Sequence, residues 1–367
     1  MEDNDVGAED VTGKTNEVVE PNEPDKQGEL NEPNGKSTID SYKTVCAKLG
    51  LSMSLYYVCR FLGGIIAGEI ARLATFSGNH TAAYMVHVIV LIIMNYVIPL
   101  YIVALLFKSF RRYSGKMREL YRKPRRIARA LGSLPAMYGL GYGIALLTLL
   151  SSYLISKITG GQTFIENILR PPAMEPAANI PTAIVLFLLL VVVAPIFEEL
   201  WVRGIMYDAL KPYGCGVAII ITSILFGLMH GSLHMLLYTT ALGLALGYVR
   251  YATGSLFAVT ILHSIINMVA GGYLLLSSLT EITNESNKLI NTITTVYLVA
   301  MLVLIIVGLV AFFARIPTIK RYKIENAWDE ISGWKKTALF FVSIPVIIML
   351  ILAFNEHTND WLLRLFM

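Results

Sequence analysis

The chain has 367 residues, 55% hydrophobic and only 15% charged. Soluble domains carry about 25% charged residues, so this composition excludes a soluble globular protein. The net charge of +4 hides a split: residues 1–40 hold twelve acids against Lys14, Lys26 and Lys36, about −9, which leaves about +13 for the rest.

Residues 1–40 are acidic, rich in Asn, Gly and Pro, and hold no aromatic residue. They cannot bury a core, and a disordered cytoplasmic tail is expected. No basic stretch followed by an apolar run opens the chain, so no cleaved signal peptide is expected there. Apolar runs long enough to cross about 30 Å of hydrocarbon as helices follow. They lie near 49–75, 83–107, 131–156, 181–210, 214–232, 233–250, 254–276, 292–314 and 337–354. The expected fold class is therefore all-α: a polytopic transmembrane helix bundle of about nine spans. The first span is interrupted by Arg60, Glu69 and Arg72. Glu69 and Arg72 share a helix face and can pair, while Arg60 faces the bundle interior.

Ten basic side chains against Glu119 fill residues 108–130, and residues 315–336 repeat the bias with Lys320, Arg321, Lys323, Lys335 and Lys336. Both loops are expected on the cytoplasmic side. Nine spans then put the N-terminus inside, the C-terminus outside, and the sequons at Asn79 and Asn284 outside. The bundle of 41–276 is read as holding a functional core at about 181–276. Residues 277–367 are read as an extra-membrane loop plus two more spans. Cys46, Cys59 and Cys215 show no paired spacing, so no disulfide framework or cysteine-based zinc site is expected. No internal repeat is visible, which speaks against a secondary transporter.

Three patterns place polar groups inside apolar spans: Glu198-Glu199 with Arg203, Phe226 with His230, and His263 with Asn267. A charge near a bilayer centre costs at least ~2.5–3.5 kcal/mol on insertion scales. Each pattern uses i, i+4 spacing, which puts its members on one helix face. Counting about 1.5 Å per residue from the expected turns, Glu198, His230, His263 and Asn267 fall within about 11 Å in depth. Carboxylate and imidazole can act as bases; imidazole and amide can donate hydrogen bonds. Arg203 can neutralise one glutamate while the other faces a cavity. Each pattern alone has a plainer reading: a structural ion pair, a packing histidine, a polar clasp between helices. Phe226 alone reads as core, and His234, one turn after His230, as interfacial. Glycines 204, 227, 231, 243 and 247 are expected to let helices approach closely.

Taken together, Glu198-Glu199-Leu-Trp-Val-Arg203, Phe226-Gly-Leu-Met-His230 and His263-Ser-Ile-Ile-Asn267 resemble the EExxxR, FxxxH and HxxxN motifs of the CPBP family. This is the Abi or type II CAAX protease family of intramembrane proteases. The stretch Gly243–Leu256 is also similar to that family. The resemblance implies hydrolysis of a peptide bond near the C-terminus of a membrane-embedded or lipidated substrate, at a site inside the bundle open to the cytoplasmic side. It implies that Glu198 and His230 activate water, His263 and Asn267 hold the oxyanion, and Glu199 and Arg203 support them. A metal-free mechanism is preferred; a zinc ion held by carboxylate and imidazoles is the alternative. Partners are then the cell-membrane bilayer and a peptide or protein substrate, not nucleic acid. The alternatives are a non-catalytic immunity or partner-binding protein of the same fold, and a transporter.

Overall fold

The computed structural model describes residues 38–77, 80–108, 121, 124, 127–160, 177, 179–283, 287–321 and 331–357. The expected acidic tail up to residue 37, the sequon residues Asn79 and Asn284, most of the first basic loop and residues 322–330 of the second lie outside the described residues. Among the described residues every regular element is helical.

The chain opens with α1 (Thr38–Ser77), whose first three residues fall inside the stretch read as tail. Next come α2 (His80–Ile92) and α3 (Ile98–Leu106), joined by a π turn at Ile93–Val97. Then follow the short α4 (Ile127–Leu131) and the long α5 (Leu134–Thr159). A continuous helical stretch runs through α6 (Ile180–Leu188), a π turn at Leu189–Val193, α7 (Ala194–Glu199), a π turn at Leu200–Met206 and α8 (Tyr207–Leu210). The rest is α9 (Cys215–Leu228), α10 (Leu233–Thr253), α11 (Leu256–Ile282), α12 (Lys288–Arg321), α13 (Gly333–Phe341) and α14 (Ile344–His357).

Each of the nine apolar runs forms helix, but nine crossings do not follow. Among the described residues six helices are long and apolar enough to span a membrane, and α13 with α14, bent by 67°, makes a seventh if the pair is one span. α9 has 14 residues, roughly 21 Å against the roughly 30 Å of hydrocarbon. α10 has 21 residues but, with His234 and Arg250 in it, is not among those six. The expected loop after residue 276 is also shorter: α11 continues to Ile282 and α12 starts at Lys288.

Two of the π turns have a cause in the sequence. Pro99 follows the first and Pro195 the second, each at the start of the next α-helix. Proline has no N–H, and in an α-helix its ring collides with the carbonyl four residues back. Widening to i→i+5 bonding relieves that collision. The bonds show the shift: Ile98 N–H donates to Ile93 O, and Ala194 N–H to Leu189 O. The next carbonyl in the second turn, Leu190 O, would need the nitrogen of Pro195, which has no hydrogen.

α9 packs along α10 through glycines. A Cβ on Gly227 would stand 2.1 Å from Thr240 Oγ1 and 2.8 Å from Leu236 O, and one on Gly243 3.0 Å from Ser223 Cβ. Gly247 meets Ile219 at 3.1 Å. Gly231 serves a different purpose than expected: at φ 73° it turns the chain between α9 and α10. Gly204 has no tight neighbour, its nearest being Leu200 at 3.4 Å. Gly227→Ala is expected to cost about 1–3 kcal/mol through overpacking, because the Leu236 carbonyl cannot rotate away. Gly204→Ala is the control that leaves the detergent melting temperature unchanged. Equal melting temperatures for the two variants would refute the close-approach role.

Candidate active site

The three motifs meet around one aromatic ring. The Arg203 guanidinium lies 4.2 Å from the Phe226 ring centroid. The rings of His230 and His263 stand edge-on to Phe226 at 4.8 and 5.6 Å. Phe226 is 2% exposed, so it is core and also the hub of the polar cluster. Around it runs a chain of charge. Arg203 Nη1 pairs with Glu199 Oε1 at 3.1 Å and Nη2 donates to Gly243 O at 3.3 Å. The same Glu199 oxygen lies 2.8 Å from His263 Nδ1, and His263 Nε2 lies 3.8 Å from Glu198 Oε2. Glu199 and Arg203 have no exposed surface, and Glu198 and His263 are buried. Glu199 Oε2 and Arg203 Nε find no hydrogen-bond partner among the described residues.

These contacts fix protonation roles. His230 Nδ1 lies 2.8 Å from Phe226 O. A carbonyl only accepts, so Nδ1 carries the hydrogen and Nε2 of the neutral ring keeps its lone pair, as a base requires. His263 donates through Nδ1 to ionised Glu199, so its Nε2 faces Glu198. That nitrogen donates only as imidazolium, and the neutral ring accepts a proton there instead. Asn267 Nδ2 donates to Leu190 O at 3.0 Å, supplying the donor that Pro195 lacks. One of its amide hydrogens is therefore engaged in holding a π turn, which its expected role did not include. Among the described residues no three His, Cys, Asp or Glu side chains come together as a metal-ligand set. The set that zinc would use is divided, since His263 turns one nitrogen to each glutamate.

Charge and imidazole thus converge from α7, the π turn after it, the end of α9, and α11, inside apolar helices, while the Asn267 amide, one turn on from His263, is engaged at the preceding π turn. Residues 180–269 match the family model described as type II CAAX prenyl endopeptidase Rce1-like. The Rce1-like segment contains all three motifs. It makes up the helical stretch from α6 to the middle of α11, and the long apolar helices around it mark a multi-pass membrane protein. Neither a curated protein nor a solved structure matches the chain.

Helices outside the Rce1-like segment complete the site. Tyr57 and Tyr56 of α1 donate to Leu228 O and Met229 O at 2.9 and 3.0 Å. Arg60 Nη1 reaches Met229 O at 3.2 Å and Tyr56 Oη at 2.8 Å. The last carbonyls of a helix have no intrahelical partner, and here α1 caps those of α9 just before His230. Arg60 does face the interior, while Glu69 and Arg72 pair at 2.9 Å on the exposed side. Tyr96 of the first π turn donates to Glu198 Oε1 at 3.4 Å. Within the segment, Arg250 donates to Arg203 O at 3.2 Å and to Asp208 at 3.3 Å, fixing the π turn that carries Arg203. His234 is 8% exposed and bonds Thr148 Oγ1 at 3.0 Å, tying α10 to α5. Polar residues in apolar runs were the available signal for Tyr96 and Arg250.

Proposed function

We propose that the protein is an intramembrane endopeptidase that hydrolyses a peptide bond of a membrane-associated substrate. The observation that carries this reading is the convergence of Glu198, Glu199, Arg203, His230 and His263 within the segment that matches a CAAX endopeptidase family. Water lies between Glu198 and the Nε2 lone pair of His230 and attacks the scissile carbonyl carbon. Glu198 takes the water proton. The oxyanion accepts from imidazolium His263 and from the amide hydrogen of Asn267 not used by Leu190. As the C–N bond breaks, the proton passes from Glu198 to the leaving amine. Glu199 holds His263, and Arg203 offsets the charge of Glu199. The substrate is a peptide near its C-terminus, lipidated or not, and the membrane is the cell membrane.

The test is cleavage of fluorogenic C-terminal peptides, with and without an isoprenyl group, by protein in vesicles. No hydrolysis of either peptide, with intact protein, overturns the reading. Asn267 gives a second test, because its two duties separate. Asn267→Ala leaves the partly buried Leu190 O without its donor, costing about 1 kcal/mol or more, and removes an oxyanion donor, costing about 10²–10³ in turnover. Adding Pro195→Ala gives Leu190 O a backbone donor. Stability is then expected to recover in the double variant, measured by melting temperature, while turnover stays low. Turnover that recovers together with stability assigns Asn267 to structure alone.

A further inference from the structure

We propose that Tyr96 is a positioning residue of this site, and that Pro99 aims it. The proposal rests on the hydrolytic reading above. Tyr96 lies outside the Rce1-like segment and 102 residues from Glu198 in sequence, yet its hydroxyl donates to Glu198 Oε1 at 3.4 Å. Its ring packs against Phe197, centroid to centroid 5.8 Å, and Phe197 directly precedes Glu198. The two oxygens of Glu198 are thereby given separate neighbours: Oε1 faces Tyr96, and Oε2 faces His263. A general base with one oxygen tied by a donor keeps the other in a fixed direction. The bond is long, and hydrogen bonds at unliganded catalytic sites often tighten only when substrate binds.

The backbone explains how an apolar helix presents this hydroxyl. Tyr96 stands in the π turn Ile93–Val97, immediately before Pro99. A π turn is one residue more than an α-helix needs for the same advance. An α-helical register here would swing Tyr96 by about 100°, the step of one residue, and take it off Glu198. Pro99 prevents that register, because its ring would strike the Asn95 carbonyl. π turns at functional sites commonly have this effect.

The experiment compares wild type, Tyr96→Phe, Pro99→Ala and the double variant, each reconstituted in vesicles. Tyr96→Phe keeps the ring and its packing and is expected to fold normally. It should lower kcat roughly 10- to 100-fold, the value of a hydrogen bond to a charged group, with KM within about twofold. Pro99→Ala should lower kcat to a similar degree, and adding Tyr96→Phe to it should cost little more. A kcat within twofold of wild type for Tyr96→Phe, or losses that multiply in the double variant, overturns the proposal. Infrared difference spectra give a readout independent of turnover. The carboxylate stretch assigned to Glu198 by Glu198→Gln should shift in Tyr96→Phe. If that band shifts but wild type cleaves nothing, the hydrolytic reading fails and the Tyr96–Glu198 contact stands. If wild type cleaves and the band does not move, the positioning role fails alone.

Discussion

Glu198→Gln and His230→Ala each lower peptide hydrolysis by about 10²–10⁴, the usual contribution of a positioned base, while the protein still inserts and accumulates at normal levels. The expectation rests on where the lone pairs point. His230 spends its Nδ1 hydrogen on Phe226 O, so Nε2 is the nitrogen left to accept from water. Glu198 is the glutamate not bound to Arg203, so it is the carboxylate whose charge is available to take a proton. Gln at 198 keeps the size and the ability to accept from Tyr96 but cannot take up a proton. Ala at 230 removes the ring that faces Phe226 without touching the capped end of α9. Cleavage rates in vesicles, normalised to folded protein, measure both. Near-wild-type rates in either variant refute the water-activating assignment.

Arg203→Ala is expected to act on folding before chemistry. Arg203 has no exposed surface, and three neighbours use its charge: Glu199 at 3.1 Å, the Gly243 carbonyl at 3.3 Å and the Phe226 ring at 4.2 Å. Removing one partner of a buried pair leaves the other charge uncompensated, at about 3–5 kcal/mol. A loss of that size is a large share of the roughly 5–15 kcal/mol that holds a domain folded, so yield and melting temperature are expected to fall together. Glu199→Gln in the same chain removes the stranded charge and keeps an oxygen for His263 Nδ1. The double variant is expected to regain part of the lost stability, and a double variant as unstable as Arg203→Ala would show that the two residues do not act as a pair. Arg203→Lys restores the charge but not the planar contact with Phe226, and it should fall between the two.

The motif contacts could be read from the chain because they are local. Glu199 with Arg203 and Phe226 with His230 lie one helical turn apart, and that spacing survives into three dimensions. The helical class and the approximate positions of all nine apolar runs were legible for the same reason. What stayed hidden came from two sources. Contacts such as Tyr56 and Arg60 with Met229, or Tyr96 with Glu198, join positions 102 to 173 residues apart, and no periodicity encodes them. The π turns break the constant rise assumed in counting depth, so the engagement of Asn267 with Leu190 could not be foreseen. The count of nine crossings is not confirmed among the described residues, in part because α9 is apolar throughout but stops after 14 residues. The bond of His234 to Thr148 on α5 stayed hidden for the same reason as those of Tyr56 and Arg60, since the two residues stand 86 apart.

The shortness of α9 also bears on hydrolysis itself, which consumes water as its second reactant. At roughly 21 Å, α9 is about 9 Å shorter than a roughly 30 Å hydrocarbon layer. The chain reverses at its end, at Met229–Ser232, and the peptide groups of that reversal demand polar company. Tyr56, Tyr57 and Arg60 provide it at the carbonyls of residues 228 and 229. His230 thus follows directly on backbone carbonyls that are held by hydroxyl and guanidinium donors rather than facing hydrocarbon alone, and a reaction that consumes water needs polar surroundings of that kind.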